Sequence, residues 1–180
     1  RFENNMFFSK AENPNSPVVY LAQNSDDNEF INNTMHRLTY TYFRNKYMIP
    51  VVRLEQYTYD NEFRNNILHC TAARWSTSRV AVAHTNWYGF YADSTASTTY
   101  TMEYNKTGRN NYQVTLGTGC LATNRPPMFT NAAPAGFDYR LLPRSICINA
   151  GDSDSAYNDP NGTRNDMGAY GGTNSINFLP

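Results

Sequence analysis

The amino-acid sequence predicts an all-β protein, a parallel β-helix in which short strands and turns coil repeatedly and each coil stacks on the last. The first observation is a repeat: residues 17–36 and 50–69 share twelve identities in twenty at a spacing of 33 positions. The second is the alternation of apolar and polar residues within each copy, as in VVRLEQYTY, which is typical of strands. The third is the composition, because 24 asparagines and 14 tyrosines suit turns and strands better than helices. Repeat units of about 30 residues without helices favour a β-helix over helical solenoids.

The repeat keeps its asparagines more faithfully than its apolar residues. In stacked coils equivalent residues lie about 4.8 Å apart, so a side-chain amide can hydrogen-bond to the amide of the next coil. A fainter copy, FENNMFF, aligns Phe2 with Phe30 at a spacing of 28. The predicted asparagine ladder consists of Asn4, Asn5, Asn32, Asn33, Asn65 and Asn66.

Two histidines also recur, since His36 and His69 occupy the last position of the two copies. A metal or catalytic site needs further groups around them, and no third ligand recurs with the pair. We therefore predict a stacked structural pair, with a functional site as the alternative.

The length and composition fit a single domain over residues 1–180. A chain of 180 residues with 40 % hydrophobic residues can bury a core of its own. We expect about three coils in residues 1–90, a Thr-, Ser- and Asn-rich loop or hairpin insertion at 91–113, and a closing region at 114–180. The sequence begins at Arg1 within polar and aromatic sequence, so we expect a processed chain or the C-terminal part of a longer chain.

The charge balance and the length of the apolar runs argue against two partners, nucleic acid and the membrane interior. The 15 basic and 15 acidic side chains cancel, and no basic stripe is present, so we expect no nucleic-acid partner. No run approaches the roughly 18 apolar residues of a membrane span, so we expect none.

One stretch has the composition of a calcium site. Residues 151–166, GDSDSAYNDPNGTRND, concentrate hard oxygen ligands. We name Asp152, Asp154 and Asp159 as candidate metal ligands and calcium as the only candidate cofactor. The spacing does not match an EF-hand, and the alternative is a run of Asx turns.

Three further features concern the surface and the thiols. Trp87, Tyr88 and Tyr91 are candidates for stacking on sugar rings, or they cover the flank of the coils. Asn105 and Asn161 begin glycosylation sequons that would be used in a secreted protein. The three cysteines fit no metal spacing. A Cys120–Cys147 disulfide is one prediction, and unpaired core thiols are the alternative.

The sequence from residue 126 onward resembles the C-terminal part of secreted right-handed parallel β-helix proteins of the pectate-lyase-like superfamily, with a choice-of-anchor type ending. The resemblance is carried by PMF at 127–129, DYRL at 138–141, SICINAG at 145–151 and DMGAY at 166–170. The turns NNTM at 32–35 and NNIL at 65–68 match the coils of that superfamily. Ile146 stands where Pro is usual and Gly171 where Glu is usual. The resemblance implies a right-handed β-helix with irregular C-terminal loops and an extracellular or cell-surface location.

The β-helix fold hosts lyases, hydrolases, adhesins and scaffolds, so function depends on the residues present. Enzymes of the superfamily use paired aspartates with Gly-His-Gly, or a bound calcium with an arginine in Arg-x-Pro. The sequence has no Gly-His-Gly, and its Asp26–Asp27 pair and Arg125–Pro126 lie in expected connections. Without an acid–base pair we do not expect an enzyme.

We therefore predict a non-enzymatic extracellular or cell-surface protein with a structural, adhesive or self-assembling role. The alternative is a carbohydrate-binding or polysaccharide-degrading module, lyase-like or hydrolase-like. The expected partners are a second copy in a homo-oligomer or filament, upstream coils of the same chain, or a polysaccharide.

Overall fold

The computed structural model describes residues 1–10, 17–39, 51–72, 88–92, 98–103, 106–107, 110–112, 116–123, 125–132 and 136–175. The strands are β1 (Phe2–Glu3), β2 (Met6–Lys10), β3 (Val19–Leu21), β4 (Glu29–Ile31), β5 (Thr34–Thr39), β6 (Val52–Leu54), β7 (Thr58–Arg64), β8 (Ile67–Ala72), β9 (Tyr88–Ala92), β10 (Thr98–Glu103), β11 (Lys106–Thr107), β12 (Asn110–Tyr112), β13 (Leu121–Ala122), β14 (Phe129–Asn131) and β15 (Asp138–Leu141). The only helical element among these residues is a 3-10 turn at Ser155–Tyr157. The predicted all-β class is confirmed. No helix in the described part of the chain is long and apolar enough to cross a membrane.

The strands form three parallel sheets and one antiparallel pair, β14 with β15. Sheet A has the order β1-β4-β7-β10, sheet B the order β2-β5-β8-β11-β13, and sheet C the order β3-β6-β9-β12. The chain passes through sheets A, B and C in the same sequence four times before β13 returns to sheet B. We call each passage a coil and number the coils 1 to 4.

The strand register follows the 33-residue repeat of the sequence. Phe30 pairs with Phe63, and Val19 pairs with Val52. The rings of Phe2, Phe30 and Phe63 stack with centroid distances of 4.8 and 4.9 Å. Inward-facing columns of this kind form the first hydrophobic cluster: Val19, Leu21, Phe30, Met35, Val51, Val52, Leu54, Phe63 and Leu68.

The turn from sheet A to sheet B has the same backbone in coils 1, 2 and 3. Its first residue is Asn4, Asn32 or Asn65, with φ of 55°, 52° and 57° respectively. Asparagine tolerates this left-handed conformation because its short polar side chain hydrogen-bonds locally. The backbone therefore explains one of the two asparagines that each copy of the repeat keeps.

The described parts of residues 91–113 differ from the expected loop or hairpin insertion. They contain β10, β11 and β12, which pair in parallel with β7, β8 and β9. The high content of Thr, Ser and Asn favoured a loop, but Thr is also a good strand residue. The segment TTYTME alternates in period two, and Met102 takes the register position of Phe63. The described residues of this range therefore belong to a fourth coil and not to an insertion between coils.

The closing segment, which we define as residues 125–132 and 136–175, packs on the outside of the coils. Phe129, Tyr139, Cys147 and Met167 form a second hydrophobic cluster with Ile67 of β8. The neighbour of Ile67 on this strand, Leu68, belongs to the first cluster. Because successive residues of a strand face opposite sides, the closing segment covers the outer face of sheet B.

Candidate functional site

The second asparagine of each sheet A to sheet B turn connects the coils. The backbone N and Nδ2 of Asn5 donate to Oδ1 of Asn33 at 2.9 and 3.2 Å. The same two groups of Asn33 donate to Oδ1 of Asn66 at 2.9 and 3.1 Å. Nδ2 of Asn33 also reaches the Phe2 carbonyl of coil 1 at 2.9 Å, and Nδ2 of Asn66 reaches the Phe30 carbonyl of coil 2 at 2.7 Å. The side chains of Asn33 and Asn66 are buried from water, and these hydrogen bonds satisfy their amide groups.

A second set of asparagine contacts was missed from the sequence. The backbone N and Nδ2 of Asn28 donate to Oδ1 of Asn61 at 3.1 and 2.9 Å. Nδ2 of Asn61 donates to the Ser25 carbonyl at 2.9 Å. The signal was present, because Asn28 and Asn61 are identical residues of the repeat. The predicted ladder contains only the adjacent pairs of asparagines.

The first asparagine of each turn mainly binds the closing segment. The pairs, at 2.7 to 3.1 Å, are Asn4 with the carbonyls of Ala169 and Gly171, Asn32 with Asn165 and the carbonyl of Asp166, and Asn65 with the backbone N of Asp152. Asn65 also donates to Oδ1 of Asn32 at 3.3 Å. The closing segment therefore crosses coils 3, 2 and 1 and ties them together from outside.

Two glycines of the closing segment provide a matched test of this contact. Both Gly168 and Gly162 have positive φ, 99° and 83°. A Cβ at Gly168 would lie 2.7 Å from Cδ1 of Ile67 and 2.9 Å from Oγ1 of Thr34, whereas a Cβ at Gly162 meets nothing within 4 Å. We expect Gly168→Ala to lower the free energy of unfolding by about 2 kcal/mol more than Gly162→Ala, measured by urea unfolding. Equal losses would mean that backbone strain, rather than docking on sheet B, accounts for the effect.

His36 lies beneath the β14–β15 hairpin in a column of rings. Its Nδ1 shares a 2.8 Å hydrogen bond with Oη of Tyr139. The ring centroids of Phe8 and His69 lie 5.7 and 5.1 Å from that of His36. Burial lowers the pKa of His36 to about 4 and raises the pKa of Tyr139 to about 12. Both side chains are therefore neutral at pH 7, and His36 is out of reach of solvent.

Two carboxyl groups in the closing segment carry raised pKa values. Asp159 is buried and accepts hydrogen bonds from the backbone N of Gly172 at 2.6 Å and of Asp166 at 3.2 Å. Burial raises the pKa of Asp166 to about 6, against the hydrogen bond from the backbone N of Asn149 and with the help of the nearby Asp159 charge. Burial also raises the pKa of Asp159. These groups organise turns inside the segment.

The three candidate metal ligands each have partners within the protein. Asp152 pairs with Arg64 and accepts from the backbone N of Asp154 at 3.0 Å. Asp154 caps the 3-10 turn by accepting from the backbone N of Ala156 at 2.9 Å. Across the described residues no three His, Cys, Asp or Glu gather as metal ligands. These bonds are those of the Asx-turn alternative, and calcium binding stays a prediction.

The candidate sugar-stacking residues lie partly beyond the described structure. Trp87 lies outside the described residues, and only the backbone of Tyr88 and Tyr91 is described, within β9. Tyr20, Arg53 and Tyr91 share one register column of sheet C. Tyr20 is 48 % exposed, and Cζ of Arg53 lies 5.7 Å from its ring centroid. Tyr20 is therefore an exposed aromatic that the sequence prediction did not include.

The sequons differ in accessibility. Asn161 is exposed, and its Oδ1 accepts from the backbone N and the hydroxyl of Thr163 at 2.9 and 2.6 Å. Asn32, which begins the third sequon, Asn32-Asn33-Thr34, is buried within the coils. Asn105 lies outside the described residues. Glycosylation at Asn161 or Asn105 stays a prediction.

The predicted Cys120–Cys147 disulfide is not formed in this structure. Both residues carry thiols. Cys120 packs against the first hydrophobic cluster and Cys147 belongs to the second. The two clusters lie on opposite faces of sheet B, so the sheet separates the two sulfur atoms.

Comparison of the chain with known proteins assigns no family. No family model matches the sequence, and neither a curated protein nor a solved structure matches the chain.

Proposed function

We propose that this chain is a right-handed parallel β-helix with a structural, adhesive or self-assembling role outside the cell or on its surface. Support for the coiled arrangement comes from the fixed passage through sheets A, B and C. About 98 % of crossover connections between parallel strands of one sheet are right-handed. The sequence resemblance to pectate-lyase-like β-helix proteins supports the same fold and the extracellular location.

The observation that carries the non-enzymatic role is the use of the recurrent polar residues. Asn33 and Asn66 are buried and bind neighbouring coils. His36 recurs with His69 but lies under Tyr139 with a lowered pKa. A catalytic acid or base must reach its substrate, and His36 cannot while the hairpin covers sheet B. In a scaffold, recurrent polar residues are needed only to bind one coil to the next, which is how Asn33 and Asn66 are used.

Two measurements test this role. We expect no new reducing ends and no unsaturated products when the purified chain is incubated with pectate, xylan or chitin, with and without calcium. Heat-unfolded chain is the control for contaminating activity. Antibodies against the chain should label intact source cells or their matrix. Product formation by the folded chain, or labelling only after the cells are permeabilised, would contradict the proposal.

A second candidate function, carbohydrate binding, is favoured by the exposed Tyr20 beside Arg53. Tyrosine rings can stack on sugars, and an aromatic contact contributes about 1 kcal/mol. We expect Tyr20→Ala to weaken retention in polysaccharide affinity gels about fivefold. Tyr59→Ala is the control, because Tyr59 is also exposed but lies on β7 of sheet A. Equal retention of the two variants would count against sheet C as a sugar-binding surface.

A further inference from the structure

Coil 1 presents one end of all three sheets. In the described residues β1, β2 and β3 each pair with a strand on one side only. Such edge strands leave N–H and C=O groups ready to pair with another strand. Three apolar side chains of this end are exposed, Phe2 by 42 %, Met6 by 52 % and Phe8 by 38 %. We call β1, β2 and β3, with these side chains, the end face.

The asparagine contacts have a direction along the stack. In each step the backbone N and Nδ2 of one coil donate to Oδ1 of the next coil, as from Asn5 to Asn33. Nδ2 also donates to a carbonyl of the preceding coil, as from Asn33 to Phe2 and from Asn61 to Ser25, both at 2.9 Å. Asn33 therefore has hydrogen-bond partners in both neighbouring coils.

The first asparagine of each ladder departs from this pattern. Nδ2 of Asn5 donates to the Glu3 carbonyl of its own coil at 3.0 Å, and Nδ2 of Asn28 donates to the nearby Asp26 carbonyl at 3.1 Å. None of the described residues donates to Oδ1 of Asn5 or of Asn28, whereas Oδ1 of Asn33 accepts two hydrogen bonds. The end face thus offers an acceptor and an edge that match the donors of one more coil.

We propose that the end face binds one further coil of the same repeat, in parallel and in register, on the side of β1 that faces away from β4. The inference rests on the β-helix proposed above and names what its open end binds. The turn asparagine of that coil donates its N–H and Nδ2–H to Oδ1 of Asn5. A carbonyl of the coil accepts from Nδ2 of Asn5, and an apolar side chain covers the ring of Phe2.

A second copy fits this surface less well. In a head-to-tail stack the copy's β2 would have to pair with β11, but β13 already occupies that side of β11. A head-to-head stack would run the facing strands antiparallel, which removes the in-register contact of one turn asparagine with the next. A coil that precedes β1 instead enters sheet A from sheet C, as the chain does before β4, β7 and β10.

The test adds such a coil from the protein's own repeat. Residues 29–61 are duplicated directly ahead of Arg1, which places the added Phe30 over Phe2 and the added Asn33 over Asn5. We expect the unfolding midpoint to rise by about 5 °C and amide exchange in β1 and β2 to slow at least tenfold. The matched control carries Asn33→Ala and Phe30→Asp in the added copy only, and should leave both values near those of the unextended chain.

Each alternative outcome overturns the inference. Equal effects of the two additions would mean that the added residues do not dock through the asparagine turn and the Phe2 ring. Concentration-dependent dimers of the unextended chain that are lost on adding the coil would mean that a second copy is the occupant. None of these readouts depends on catalysis or cell-surface labelling. The inference can therefore fail while the proposed role stands, and the proposed role can fail while the inference stands.

Discussion

Replacing Asn33 by alanine is expected to lower the free energy of unfolding by about 4 kcal/mol, because the change removes four hydrogen bonds made by a buried side chain. Oδ1 of Asn33 accepts from the backbone N and Nδ2 of Asn5, and its Nδ2 donates to Asn66 and to the Phe2 carbonyl. Asn33 is fully buried, so water does not replace these bonds. Urea unfolding followed by circular dichroism measures the loss.

The matched control is Asn5→Ala at the exposed start of the same ladder. Asn5 keeps its backbone hydrogen bond to Asn33 in this variant, and its side chain is exposed to water. We expect a loss of about 1 kcal/mol. Similar losses at Asn33 and Asn5 would mean that burial of the ladder adds nothing to the stability of the stack.

The second large effect is a pH dependence in which two buried groups oppose each other. The folded pKa of His36, about 4, lies below the unfolded value of 6.5. The unfolded state therefore binds more protons between pH 4 and 6.5, and the His36 contribution to stability is lost as pH falls through this window. The total is about 3 kcal/mol.

Asp166 acts with the opposite sign. Its folded pKa of about 6 lies above the unfolded value of 3.8. The folded state binds more protons between these values, so this contribution is present below pH 3.8 and is lost as pH rises to about 6. We expect about 2 kcal/mol, because partial exposure of Asp166 screens its charge. The pKa of Asp159 is also raised, so this group contributes to stability with the same pH dependence as Asp166.

Variants separate the two contributions. We expect the stability of the unmodified chain to change little between pH 4 and 6, since the slopes oppose each other. His36→Phe should leave a stability that falls as pH rises, and Asp166→Asn should leave one that increases with pH. Urea unfolding at half-unit pH steps measures both slopes. A slope in His36→Phe that matches the unmodified chain would contradict the role of His36.

Much of the coil arrangement could be predicted because it repeats. The 33-residue spacing of the sequence is the spacing of the pairs Phe30 with Phe63 and His36 with His69. Repetition makes a register visible without any knowledge of tertiary contacts. The same reasoning did not predict β10. The coil that contains β10 lacks the asparagine pair, and its Thr-rich composition also suits a loop.

The contacts of the closing segment could not be predicted in the same way. Nothing near Asn4 in sequence indicates that its Nδ2 binds the carbonyls of Ala169 and Gly171, 165 and 167 residues away. The covering of His36 by Tyr139, which sets its lowered pKa, likewise joins residues 103 positions apart. Neither contact belongs to a repeat, so no spacing in the sequence indicates it.

The sequence alone determined the all-β class and the residues that stack upon one another, because side-chain period and repeat spacing are local properties. The tertiary structure decided which asparagine of each turn serves which purpose: Asn33 and Asn66 bind along the stack, and Asn4 binds the closing segment. The backbone of the turn directs neighbouring side chains to different places, and only packing supplies the partner that each one meets.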